Sequence, residues 1–259
     1  MKAVGGLLIM AGLAAGAGTP AAAGAWNLPK GQGQAIVKYE DMRADESFVA
    51  GGRVDLPADR VDRAVSFLIE YGLSDRLTLQ VKGEWQSGRD DYARYEGRGP
   101  VEIGARWQAW RDDVNVVAIY AGYAQAGEGR NAGYAPPGAG DNDWEMRLLA
   151  GRSIDGSGAK WAPQRSFIEA QVARRWRQGL PDEVRLDVTA GAHIGDRWML
   201  MAQGFGGAVD GDGARWLSVE VTAVRDFGVW SLQGGWRQAV AGRETPVAGG
   251  PIIGVWRRF

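Results

Sequence analysis

The chain has 259 residues, no cysteine, 40 glycines, 12 tryptophans and a formal net charge of −1. Without cysteine there is no disulfide scaffold, thiolate metal centre or cysteine nucleophile, and 30 basic residues against 31 acidic ones, with no basic run, argue against a nucleic-acid partner. Glycine at about twice its ordinary usage, with no collagen period and beside 45% apolar residues, fits neither a fibre nor a disordered chain.

Residues 1–25 read as a secretory leader. Lys2 supplies the positive start, Val4 to Ala15 the apolar core, and Ala23-Gly24-Ala25 an A-x-A cleavage signal, so the mature chain is expected to begin at Trp26 and to form one domain over 26–259. No later segment reaches the roughly 18 apolar residues of a membrane helix; Val114 to Ala124 comes nearest. From Leu77 to Gln86 apolar residues or glycine alternate with Thr78, Gln80, Lys82 and Glu84. A helix would scatter those polar side chains around its circumference, whereas a strand places them all on one face.

The same period of two predicts about twelve strands, near 33–43, 61–72, 76–87, 99–110, 114–125, 143–154, 165–176, 183–193, 197–207, 214–225, 228–239 and 250–259. Their connectors alternate in length. Leu73-Ser74-Asp75, Arg111-Asp112-Asp113, Ile194-Gly195-Asp196 and Asp226-Phe227 are short, while Ala44 to Arg60 and Ala126 to Asn142 are long and rich in Gly, Pro and charge. Asp155 to Gln164 is a long connection on the short side. The pattern predicts an all-β chain: a transmembrane, antiparallel, up-and-down barrel with short periplasmic turns and longer extracellular loops.

The tryptophans fit that architecture. Trp107, Trp110, Trp198, Trp230 and Trp256 fall near the short-turn ends, and Trp85, Trp144, Trp176, Trp216 and Trp236 near the long-loop ends. Two girdles anchoring the barrel at the two membrane interfaces are therefore expected. The chain closes on Ile252-Ile253-Gly254-Val255-Trp256-Arg257-Arg258-Phe259, and a terminal Phe after alternating apolar residues resembles the signal read by the bacterial barrel-assembly machinery. Arg257 departs from that signal, which has an aromatic or apolar residue at this place. These features together predict residence in the bacterial outer membrane. The expected partners are outer-membrane lipid and lipopolysaccharide, the assembly machinery, and small-molecule solutes.

Glu70-Tyr71-Gly72-Leu73-Ser74-Asp75-Arg76-Leu77, the Gly127 to Gly140 loop running into Asp143-Trp144-Glu145, and the strand entered after Gly97-Arg98-Gly99 resemble the outer-membrane proteins grouped as the "MetA-pathway of phenol degradation" family, over residues 60–225. The resemblance implies a transporter of small hydrophobic or aromatic compounds. It carries over no catalytic or ligand residues.

If the apolar face meets lipid, the alternate positions line the interior. The acids are then Glu40, Glu70, Glu84, Glu102, Glu145, Glu169, Asp187 and Glu220, and the bases Lys38, Lys82, Arg106, Arg147, Arg175, Arg185, Arg237 and Arg258. Eight against eight gives no single-sign ring for ion selection. Two readings stay open: a water-filled pore of low charge selectivity, and a salt-bridged, largely closed lumen. A passive channel is the leading function, with a structural or adhesive barrel acting through its loops as the alternative; the loop candidates are Asp45, Glu46, Arg53, Asp55, Asp59, Tyr134, Pro136 and Pro137. A lipid-modifying enzyme ranks lower. His193 is the only histidine, and Gly195 stands two residues on, where the His-x-Ser of outer-membrane phospholipases has its serine. Asp210-Gly211-Asp212-Gly213 lacks the further ligands of a calcium loop and reads as a tight turn. No catalytic residue, metal or cofactor is expected.

Overall fold

The computed structural model describes residues 24–90, 94–127, 140–156 and 163–259, which contain strands and no helix. The strands are β1 (Gly33–Val49), β2 (Gly52–Ser74), β3 (Leu77–Arg89), β4 (Arg94–Arg111), β5 (Asn115–Gln125), β6 (Asn142–Asp155), β7 (Arg165–Arg177), β8 (Glu183–Ile194), β9 (Trp198–Val209), β10 (Arg215–Phe227), β11 (Trp230–Arg243), the two-residue β12 (Thr245–Pro246) and β13 (Gly249–Arg258). Each long strand pairs antiparallel with the next, β11 pairs with β13, and β1 pairs with both β2 and β13. Twelve long strands thus close into one barrel without a free edge.

At the seam, the Gly33 N–H donates to the Phe259 carbonyl at 2.7 Å and the Phe259 N–H returns a bond to Gly33 at 2.9 Å. We call the end holding this seam, the Ser74–Leu77 connection and Gly195 and Gly228 (φ +59° and +76°) the turn end, and the opposite one the loop end. Turn chemistry is local. Between β4 and β5, the Asn115 side chain and the Asn115 and Val114 amides donate to Asp112, holding its carboxyl below the usual carboxylate range.

The period of two separates two faces. Val65, Phe67, Ile69 and Tyr71 on β2, and Leu217, Val219 and Val221 on β10, are exposed outward, while Glu70, Glu102, Glu145, Glu169 and Glu220 are buried inward. This is the arrangement a barrel needs when its solvent outside is hydrocarbon. Val219, in mid-strand between Gly204 and Gln238, supplies a test: Val219→Arg is expected to cost about 2–4 kcal/mol in equilibrium unfolding from lipid vesicles, and Val219→Leu almost nothing. Equal costs for the two would contradict a lipid-facing position.

Two expectations need correction. Ala44 to Arg60 is not a loop, because β1 and β2 continue through it to a tight turn at Ala50 and Gly51 (φ +95°). The ladder runs to Ala44↔Arg60 and resumes at Glu46↔Asp55, so that four residues, 56–59, bulge out of β2. Leu56 in that bulge packs on Met42, Ala44, Ala248 and Ile252. Pro57, which has no N–H to offer a ladder, sits where none is required.

The tryptophans supply the second correction. Trp85, Trp107, Trp110, Trp144, Trp176, Trp198, Trp230 and Trp236 are exposed on the outer face, but Trp216 and Trp256 are buried inside, at 7% and 8% exposure. Trp216 shares the inward parity of Ser218 and Glu220, and its ring fills the space left by its ladder partner Gly207, where a Cβ would come within 2.1 Å. Trp256 shares the parity of Arg258, and its indole N–H donates to Gln233 Oε1 at 2.9 Å, which satisfies the one polar group that a buried Trp must pair.

Candidate functional site: the barrel interior

The interior changes character along its length. Toward the turn end two apolar clusters, Ile36, Phe167, Met199, Met201, Val224 and Trp256, and Val116, Ala118, Tyr120 and Leu149, stand beside the ion pairs Glu70–Arg106 and Asp226–Arg258. Toward the loop end it is mostly ionic, with smaller apolar clusters around Met42 and Trp216. The division follows from the inward residues of each strand: β6, for example, enters with Asp143, Glu145 and Arg147 and leaves with Leu149.

Residues 24–32 precede β1 and turn back into the bore. The chain leaves the seam beside Gly72, where a Cβ would lie 2.2 Å from the Pro29 carbonyl. The Leu28 N–H donates to Thr78 Oγ1 at 3.1 Å on β3; Arg106 of β4 donates through Nε to Asn27 Oδ1 at 3.1 Å and through Nη2 to the Trp26 carbonyl at 2.8 Å. The Trp26 ring meets Phe167 of β7 edge-on at 6.0 Å, and the Ala25 N–H reaches Glu169 Oε2 at 2.8 Å. Contacts that begin on β2 and β3 and finish on β7 make this segment a strap across the bore. No period-two pattern marks it; only Trp26, an aromatic residue ahead of the first strand, is unusual there.

Of the sixteen charged residues expected inside, none is exposed, and fourteen stand within ion-pair distance of an opposite charge. The largest network centres on Arg175, whose Nη2 lies 2.8 Å from Glu102 Oε2 and whose Nε lies 2.8 Å from Glu145 Oε2. Lys82 approaches Glu102 at 2.9 Å; Arg147 pairs with Glu145 and lies 3.8 Å from Asp187; Arg185 is 3.6 Å from Glu145. The Tyr120 hydroxyl donates to Glu102 at 2.5 Å, with the Lys82 ammonium 5.1 Å from the centre of its ring. A second network joins Arg237 to Glu220 at 2.6 Å and Glu40 at 3.2 Å, with Lys38 alongside. Glu70 pairs with Arg106 at 2.9 Å and also accepts from Gln34 and Gln80, and Arg258 pairs with Asp226 at 3.0 Å. Among the described residues, Glu84 and Glu169 have no basic side chain within that distance; each accepts a hydrogen bond from a glutamine two residues along its own strand.

Three members of the Arg175 network, besides the Asp226 that pairs with Arg258, are absent from the expected set. Asp143 and Glu183 share the parity of Glu145 and Arg185, Arg177 that of Arg175, and Arg177 pairs with Glu183 at 3.1 Å with both side chains 1% exposed. They stand at strand ends, where alternation is hardest to separate from loop polarity.

Between ionic half and strap lies a chamber of about 480 Å³. Its lining includes Lys38, Lys82, Glu84, Arg147 and Arg185 on one side and Ile36, Leu68, Met199, Met201 and Trp256 on the other. His193 is half-buried near the turn end, and among the described residues its Nε2 has no hydrogen-bond partner. Asp210-Gly211-Asp212-Gly213 is the β9–β10 turn, with Gly211 at φ +71°, and the Asp210 carboxylate takes two bonds from Arg174, at 2.7 and 2.6 Å, which hold its pKa below the usual range. Among the described residues no group of three or more His, Asp or Glu is placed to hold a metal ion. Tyr134, Pro136 and Pro137 lie outside the described residues.

The fold is that of outer-membrane β-barrels. The COG4313 outer membrane channel from Pseudomonas putida F1 superposes with a TM-score of 0.63 at 18% identity, over 91% of this chain and 98% of that one. The NanC porin gives 0.56 at 9% identity, over 85% and 98%. The translocator domain of the autotransporter NalP from Neisseria meningitidis gives 0.53 at 13%, over 90% of each chain. No protein-family model matches the chain, and no curated protein sequence does. The likeness to channels, porins and translocators rather than to enzymes is a likeness of fold.

Proposed function

We propose that this protein is a passive outer-membrane channel for small molecules, with its turn end in the periplasm and its loop end outside. The observation that carries this reading is a closed barrel, apolar outside and polar inside, enclosing a chamber of about 480 Å³. Such a chamber fits a molecule of drug-like size or smaller. Its two-sided lining, ammonium and guanidinium groups facing Ile36, Met199, Met201 and Trp256, favours small organic solutes with an apolar or aromatic body, in line with the sequence resemblance. The eight outward tryptophans serve as interface anchors, Phe259 serves as the assembly signal, and a removable leader directs export. The sixteen inner charges form the wall that a solute meets, arranged as a paired lining and not as an open ring of fixed charge.

The test is a planar-bilayer recording on the refolded, full mature barrel, paired with liposome swelling driven by small aromatic solutes. We expect small, discrete conductance steps, and swelling that falls with solute size. A barrel that is folded by heat-modifiability yet passes neither ions nor solutes would overturn the channel reading. A role through surface contacts would then rest on the β1–β2 hairpin, which carries Glu46, Arg53 and Asp55 at the loop end.

A further inference from the structure

Glu169 is 2% exposed on the inner face of β7, and among the described residues no basic side chain lies within ion-pair distance of it. It receives a hydrogen bond from Gln171 Nε2 at 2.5 Å and another from the backbone N–H of Ala25 at 2.8 Å. An isolated carboxylate at such a depth is costly unless a positive charge compensates it. The strap lies against that carboxylate with Gly24, where a Cβ would come within 3.0 Å of Glu169 Oε1 and 2.8 Å of Gln171 Nε2. The backbone at residue 24 thus stands directly against the Glu169 carboxylate.

The sequence offers a second cleavage signal two residues ahead of the first, Ala21-Ala22-Ala23. We propose that the leader is removed after Ala23, and that the new α-ammonium of Gly24 is the buried counter-ion of Glu169, fastening the strap inside the barrel. In the covalent step water adds across the Ala23–Gly24 peptide bond, catalysed by a leader peptidase; Ala23 leaves with the carboxylate, and the Gly24 amine takes up a proton. Cleavage after Ala25 would instead discard Gly24 and Ala25. Ala25 is fully buried against Val116, Ala118, Tyr120 and Leu149, so its loss would leave a void there and take away the backbone N–H that it donates to Glu169. The inference shifts the expected boundary by two residues, and it stands whether or not the barrel conducts.

Two measurements test it on the mature protein purified from outer membranes of a Gram-negative host. Intact-mass analysis should give a chain starting at Gly24; a start at Trp26, or anywhere else, overturns the proposal. The α-amine is then labelled with an amine-selective acylating reagent near neutral pH, and the site is located by peptide mapping. In Glu169→Gln the start should still be Gly24, and labelling there should be about tenfold faster than in the parent protein, equivalent to about 1.4 kcal/mol of lost fastening. Glu84→Gln, which removes the other inner carboxylate lacking a basic partner, should leave the rate unchanged. Equal labelling in parent and Glu169→Gln, or an equal rise in Glu84→Gln, would refute the pairing even if the start were correct.

Discussion

Arg175→Met is expected to destabilise the barrel by about 3–5 kcal/mol, the cost of breaking a buried ion pair from one side. Arg175 bridges Glu102 and Glu145, whose side chains are 8% and 2% exposed, so its removal leaves two carboxylates short of a cation in a site that water barely reaches. Lys82, Arg147 and Arg185 remain nearby and limit the loss without replacing the fork that meets both carboxylates at once. Arg175→Lys keeps the charge but not the fork, and should fall between Met and the parent. Arg63→Met, which removes a partner from Asp41 where the Arg63 side chain is 48% exposed, should cost about 0–1 kcal/mol. Equilibrium unfolding in lipid vesicles compares the three. A cost for Arg175→Met no larger than for Arg63→Met would mean that the network is hydrated, and that the interior is a water-filled pore with solvated walls.

The second large effect concerns conduction. Joining residue 23 directly to Gly31, so that residues 24–30 are absent, should raise single-channel conductance several-fold. The strap occupies the turn-end half of the bore, and its removal frees the apolar walls formed by Phe167, Leu149 and Val116. Stability should fall as well, because Arg106 loses Asn27 and the Trp26 carbonyl and keeps only Glu70. Gly72→Val offers a milder route to the same end: its side chain would drive into the Pro29 carbonyl and lift the strap without shortening the chain. Unchanged conductance in both variants would show that the strap does not limit flow.

Much of the barrel could be read from the sequence, because the alternation of lipid-facing and interior residues is imposed at every position of every strand. Strand β8, expected at 183–193, runs from Glu183 to Ile194. The failure at Ala44 to Arg60 has a local cause. Pro57 and the acidic residues suggested a loop, yet Val54, Leu56 and Ala58 still alternate with Arg53, Asp55 and Asp59. Residue type puts Trp216 and Trp256 outside, whereas their parity with Glu220 and Arg258 puts them inside; for a tryptophan, parity outweighs preference when a facing Gly207 leaves room or a Gln233 accepts the indole N–H. The strap was not legible. Its path depends on contacts with β3, β4 and β7, and nothing in residues 24–32 alone records those distances.

The seam between Gly33 and Phe259 constrains how the barrel can close. The strand made first has two partners, and one of them is the strand made last. Until β13 arrives, β1 and β11 each present a row of unsatisfied amides and carbonyls, which a bilayer tolerates poorly. A chain truncated before β13 is therefore not a smaller barrel but an open sheet with two edges, unable to settle in hydrocarbon alone. Insertion must be close to all-or-none, with its slowest contact spanning nearly the whole chain, so a shielding surface has to cover those edges until the last ten residues of the wall are in place.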